Sequence, residues 1–162
     1  MMKRAWLRKA HPVAGGVAMV LMGTFWVSTL STELLGTAAM VTAVKTAIVW
    51  GLLLLVPALM VAGGSGHRLA GQHRDGVVGV KARRMPWIAA NGLLVLIPSA
   101  LFLMVKARAG AFDGAFYTVQ ALELVAGAIN LTLLGLNMRD GLRMKLGGGQ
   151  VRVPEQAETG VR

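Results

Sequence analysis

Four side chains stand out in this 162-residue, mostly apolar chain because lipid does not tolerate them uncovered: Lys45, Glu33, Glu123 and Gln120. An ionisable group at mid-bilayer costs roughly 2.5–3.5 kcal/mol even on the lenient insertion scale. Such groups therefore face protein or water, and they mark ion pairs, proton relays or ligand sites. Glu123 is part of a stripe in FYTVQALELVAGAINLTLLGLN, residues 116 to 137, where Glu123, Asn130 and Asn137 recur at a seven-residue spacing. That spacing drifts only about 20° per step around an α-helix. Gln120 and Gly127 follow Phe116 and Glu123 by one turn on the same side, giving one polar and small face on an otherwise Leu, Val, Ile and Ala helix. Other helices must cover that face.

The elements available to do so are membrane spans. Hydrophobic residues make up 55% of the chain and charged residues 15%, far from the balance of a soluble domain. Four runs reach the roughly 20 residues needed to cross a ~30 Å hydrocarbon core: 13–35, 39–62, 86–105 and 116–137. The expectation is an all-α, four-helix transmembrane bundle running up-down-up-down as one domain, residues 1–146, followed by a disordered tail over 147–162. Residues 63–85 read as a long solvent-facing loop, because Gly63, Gly64 and Gly66 should end the second helix after a kink at Pro57. Pro86 and Trp87 should open the third span. A cleaved signal peptide is a competing reading of the basic start, but the apolar run after it is long and no A-x-A site follows.

Charge sets the orientation. Lys and Arg number four in the N-terminal segment, five in 63–85 and five in the C-terminal segment, against none and two in the short connections. Fourteen against two places both termini in the cytoplasm. The pI of 11.4 thus reflects topology signals at the ends of apolar runs, and no nucleic-acid-binding face is indicated. The chain has no Cys, which excludes thiolate metal sites and iron–sulfur clusters.

Depth then brings distant residues together. Lys45 lies about six residues into the second span, and Glu123 a similar distance into the fourth from the same side; at 1.5 Å per residue both sit ~9 Å below the outer surface. They should pair. Glu33, Ser28, Thr29 and Gln120 belong to the same outer third, so the expected feature is an intramembrane polar cluster with a Lys45–Glu123 ion pair at its centre. It could serve as polar glue between helices or as a proton or ligand site. Asn91, Asn130 and Asn137 could line a polar path from it towards the cytoplasm, or hydrogen-bond between helices. His11 and His67, at the cytoplasmic ends of the first two spans, are the candidate ligands for a haem b; His73 would be needed for a zinc site that has no carboxylate or thiolate at fixed spacing, so no metal site is expected.

HPVAGG, KTAIVWGLLLLVPALMVAGGSG, RMPWIAANG and QALELVAGAINLTLLGLNMRDG together resemble small bacterial four-helix membrane proteins, over nearly the whole membrane part. The resemblance implies a bacterial inner-membrane location and brings no ligand or catalytic residue with it. A looser likeness to small b-type cytochromes and quinone-site anchor subunits rests on the four helices and end-placed histidines alone.

No Ser, His and Asp grouping or H-E-x-x-H occurs. The G-x-G in GGSGHRLAG follows an apolar helix rather than a strand, which removes a nucleotide loop. An enzyme is not indicated. The expectation is a multi-pass inner-membrane accessory or complex-forming subunit in contact with the bilayer, as a homodimer or within a larger membrane complex. Two alternatives stand beside it: a small transporter or proton-coupled element using the Lys45–Glu123 pair, which would need two copies, and a haem- or quinone-binding electron carrier.

Overall fold

A computed structural model describes residues 2–70 and 76–147. The described residues form helices joined by tight turns. Helix α1 spans Met2–Leu35, α2 Ala38–Ala70, α3 Gly76–Asn91, α4 Ile97–Arg108 and α5 Gly114–Gly147; a π-helical turn, Gly92–Leu96, joins α3 to α4 into one rod. Four stretches, Lys9–Leu35, Ala38–Leu69, Arg83–Arg108 and Gly114–Arg143, are long and apolar enough to cross a membrane. The chain is a multi-pass, all-α membrane protein. Large apolar side chains cover its outside, among them Leu34, Leu53, Leu94 and Val125, as contact with lipid requires.

Both short connections are written in their residues. After α1, the Gly36 amide donates to the Thr32 carbonyl, and a Cβ at Gly36 would lie 2.6 Å from that oxygen. Thr37 then caps α2, its hydroxyl accepting from the Met40 amide. At the end of α4, Gly110 takes φ +66°, the Gly110 amide donates to the Ala107 carbonyl and the Ala111 amide to the Lys106 carbonyl. This is a Schellman stop, which favours glycine at the left-handed position. Asp113 caps α5 by accepting from the Phe116 amide at 3.0 Å.

These turns place α1 against α2 and α4 against α5, with α2 also packed on α4 and α3 on α5. Two apolar clusters hold the bundle. One, towards the termini, contains Ala18, Met22, Leu55, Ile88 and Leu134; the other, beside the short turns, contains Val41, Leu103, Ala107 and Phe116. Contact between α2 and α3 is slight, and a cleft opens between them.

The interior departs from the sequence expectation in two places. The 63–85 segment is largely helix, since α2 continues through Gly63, Gly64 and Gly66 to Ala70 and α3 begins at Gly76. Each helical glycine costs about 1 kcal/mol in propensity. Packing offsets that cost, because the His11 ring lies where a Cβ on Gly66 would be, 2.9 Å from its Cε1. The chain also stays helical through Pro57 and Pro86. The second departure is the π-turn, in which the Ile97 amide donates to the Gly92 carbonyl. Pro98 follows directly; it has no N–H for the Leu94 carbonyl and its ring would collide with that carbonyl in a regular helix, so a widened turn relieves the conflict. His73 and the tail beyond residue 147 lie outside the described residues.

Candidate functional site

Helix α5 carries the polar stripe, and each neighbouring helix meets a different part of it. Near the short turns, Lys45 of α2 donates to Glu123 Oε2 at 2.5 Å, with Lys45 only 1% exposed. Lys45 stands seven residues after the start of α2 and Glu123 nine after the start of α5, so the pair lies about 10–14 Å along the helices at 1.5 Å per residue. The Gln120 amide nitrogen donates to the same Glu123 oxygen at 3.4 Å. Glu33, at the end of α1, is within electrostatic reach of both Lys45 and Glu123.

This cluster is incompletely satisfied. Glu33 Oε1 and Gln120 Oε1 are both buried without a hydrogen-bond partner among the described residues. Lys45 has three N–H donors, of which one is used. A second carboxylate, Glu33, thus stands near an ion pair that it does not join, and the unpartnered oxygens are acceptors.

Beside the cluster is a cavity of about 60 Å³ lined by Phe25, Trp26, Thr29, Glu123 and apolar side chains. Water needs about 10–15 Å³ by this kind of measure, so the space is large enough for several. Its aromatic walls are seated on glycines. The Trp26 indole donates to the Leu124 carbonyl at 2.9 Å, and a Cβ on Gly127 would lie 3.0 Å from its Cδ1. Phe25 lies over Gly51, where a Cβ would fall 2.3 Å from the ring.

Further along α5 no buried polar side-chain atom among the described residues lacks a partner. The Asn91 amide donates to Asn130 Oδ1 at 2.9 Å and to the Ala126 carbonyl at 2.8 Å, and the Asn130 amide donates to the Ile88 carbonyl at 3.3 Å. Asn130 is completely buried. Asn137 donates to the Met85 sulfur and accepts from Arg84, which also pairs with Asp140 at 2.8 Å. None of Asn91, Asn130 and Asn137 lines the cavity beside Glu123 or the α2–α3 cleft, so these amides join α3 to α5 rather than marking either space.

Of the residues expected in the outer cluster, Lys45, Glu123, Glu33, Gln120 and Thr29 are brought together. Ser28 makes no side-chain hydrogen bond to them; its carbonyl accepts from Thr32. Arg84 and Asp140 were not anticipated as a pair. Asp140 continues the stripe three residues after Asn137, a signal that was readable had the helix been extended by one turn.

The histidines enter different interhelical spaces. His11 Nδ1 lies 2.9 Å from the Ala62 carbonyl and 3.2 Å from the Ser65 hydroxyl; a carbonyl only accepts, so Nδ1 carries the proton. His67 instead lines the α2–α3 cleft with Met60, Met85 and Pro86. His11 does not line that cleft. Among the described residues no three His, Asp or Glu side chains are grouped as a metal would require.

Outside the spans, Asp113 is the group whose proton affinity is clearly set by neighbours. Hydrogen bonds from Lys106 and from the Phe116 amide hold its carboxyl below the usual carboxylate range. Comparison with protein-family models, with curated proteins and with solved structures finds no match for the chain.

Proposed function

We propose that this is a non-enzymatic protein of the bacterial inner membrane, with cytoplasmic termini, in which the Lys45, Glu33 and Glu123 cluster exchanges protons with the outer side as part of a small proton-coupled transporter. The observation that carries this reading is a second carboxylate beside the buried ion pair: Glu123 is matched by Lys45, whereas the half-buried Glu33 has a buried oxygen with no donor among the described residues. A single proton on either carboxyl balances the three charges. Complex-forming polar glue, the plainer expectation, accounts well for the Asn91–Asn130 layer, in which no buried polar atom is left without a partner, but leaves the unpartnered oxygens of Glu33 and Gln120 without a purpose. Four helices make an alternating carrier only as two copies, so the working unit is a homodimer.

The test is infrared difference spectroscopy of the chain reconstituted in lipid, following the carboxylic-acid C=O band with pH. A protonated carboxyl present at neutral pH and removed by either Glu33→Gln or Glu123→Gln supports proton exchange at this site. A spectrum with no such band, or a band unchanged in both variants, overturns it; a strictly monomeric chain that moves a solute overturns the dimer.

A further inference from the structure

We infer that the end of the α2–α3 cleft nearest the termini holds a soft monovalent metal ion, Cu(I), between the thioether sulfurs of Met60 and Met85 and the imidazole of His67. All three donors line the cleft themselves. The site stands apart from the Glu33, Lys45 and Glu123 cluster and does not depend on proton exchange there.

The placement starts from spacing on α2. Met60 and His67 are seven residues apart, which puts them on one face with a drift of about 20° and separates them by about 10 Å along the axis. On that face between them come Gly63 and Gly64, which also line the cleft, so no side chain stands between the two donors. Met85 enters from α3 over this bare patch, its Cε lying 3.9 Å from where a Cβ on Gly63 would be. Methionine is unbranched with three rotatable bonds, so both thioethers can turn their sulfurs over the glycine floor. His67 stands in the last turn of α2 and is exposed, which gives an ion a way in from the side of the termini.

Two further observations fit a ligand on this floor. A glycine within a helix costs about 1 kcal/mol relative to alanine. At Gly66 the His11 ring uses the space so left, whereas a Cβ on Gly64 would meet nothing within 4 Å. No neighbouring atom accounts for Gly64; an ion held by Met60, Met85 and His67 does. The second is the Met85 sulfur, which accepts from the buried Asn137 amide at 3.7 Å. That contact orients the thioether and leaves its other lone pair for a metal, as groups behind a metal ligand commonly do.

The donor set selects the ion. Thioethers are soft ligands that favour Cu(I). Zinc takes thiolate, imidazole and carboxylate, and no Asp, Glu or Cys lines this cleft. All three donors are neutral, so the ion keeps its charge beside lipid, where a second positive charge would add steeply to the cost. Met60 fills no gap in the core, being 70% exposed.

The probe is Cu(I) itself, kept reduced with ascorbate under argon and competed between bicinchoninate and the untagged full chain in lipid nanodiscs, with empty nanodiscs as blank. Stoichiometric binding is expected, with sulfur and nitrogen neighbours in the copper K-edge X-ray absorption spectrum. Met60→Leu and Met85→Leu nearly keep side-chain volume and so the fold. Each should weaken binding by roughly tenfold or more, since even changes behind a ligand do so. Gly64→Leu keeps every donor and fills the floor, so it should abolish binding. Zn(II) should not displace the copper. The inference is overturned if no stoichiometric Cu(I) binds, if the Met60→Leu, Met85→Leu double variant binds as tightly as the parent, or if the spectrum shows only nitrogen and oxygen around the copper.

Discussion

Helix α5 meets its neighbours through two polar layers that differ in how completely they are satisfied. Where Asn91 meets Asn130, each amide finds a carbonyl or another amide, and the layer is neutral. Where Lys45 meets Glu123, the groups are charged, Glu33 adds a second carboxylate, and two buried oxygens have no partner. Both layers fasten helices. A neutral, satisfied layer does so without further consequence, whereas an unbalanced charged layer is a costly way to join helices and is better explained by a species that comes and goes.

The comparison can be broken most forcefully at the ion pair. Lys45→Met or Glu123→Gln alone should destabilise the reconstituted protein by about 3–5 kcal/mol, since either leaves a buried charge uncompensated. The Lys45→Met, Glu123→Gln double variant should recover most of that loss while losing the pH-dependent carboxyl signal. Unfolding midpoints in mixed detergent, taken as a double-mutant cycle, check the first part and infrared spectra the second. A double variant as unstable as the sum of the singles would count against an interaction between them.

In the amide layer, Asn130→Ala strands the Asn91 amide and the Ile88 carbonyl and should cost about 1–3 kcal/mol by the same unfolding assay. The carboxyl band should be untouched, which sharpens the contrast between the layers. Gly127→Ala introduces a Cβ 3.0 Å from Trp26 and should cost about 1 kcal/mol, with a shift in tryptophan emission as the indole moves.

The smallest effect is expected at the exposed α4–α5 turn. Because the Asp113 carboxyl is held below its ordinary value in the folded chain, its ionised form contributes stability that is present above the usual carboxylate range. That contribution is lost as pH falls through the depressed value. Asp113→Asn should therefore be slightly less stable than the parent at neutral pH and indistinguishable from it in strong acid, as read from melting curves across that range.

The sequence carried the outer cluster because lipid makes depth readable. Counting 1.5 Å per residue from two short turns is enough to bring Lys45 beside Glu123, whatever the side-chain details. Span number and the all-helical class were legible for the same reason. What composition could not supply was anything decided by packing between helices. The Gly63–Gly66 run looked like a stop, yet His11 packing over Gly66 keeps that stretch helical. Arg84 read as a topology charge in a loop, although α3 starts early enough to bring it to Asp140. The π-turn before Pro98 and the cavities that Phe25 and Trp26 border depend on how four helices fit, which no periodicity along one of them encodes.

The most direct test of proton exchange at the cluster is the carboxylic-acid C=O band of the chain reconstituted in lipid, followed by infrared difference spectroscopy across pH in the parent and in Glu33→Gln. The account predicts a band present at neutral pH in the parent and lost from the variant. A parent spectrum without that band, or a band that Glu33→Gln leaves unchanged, would contradict it.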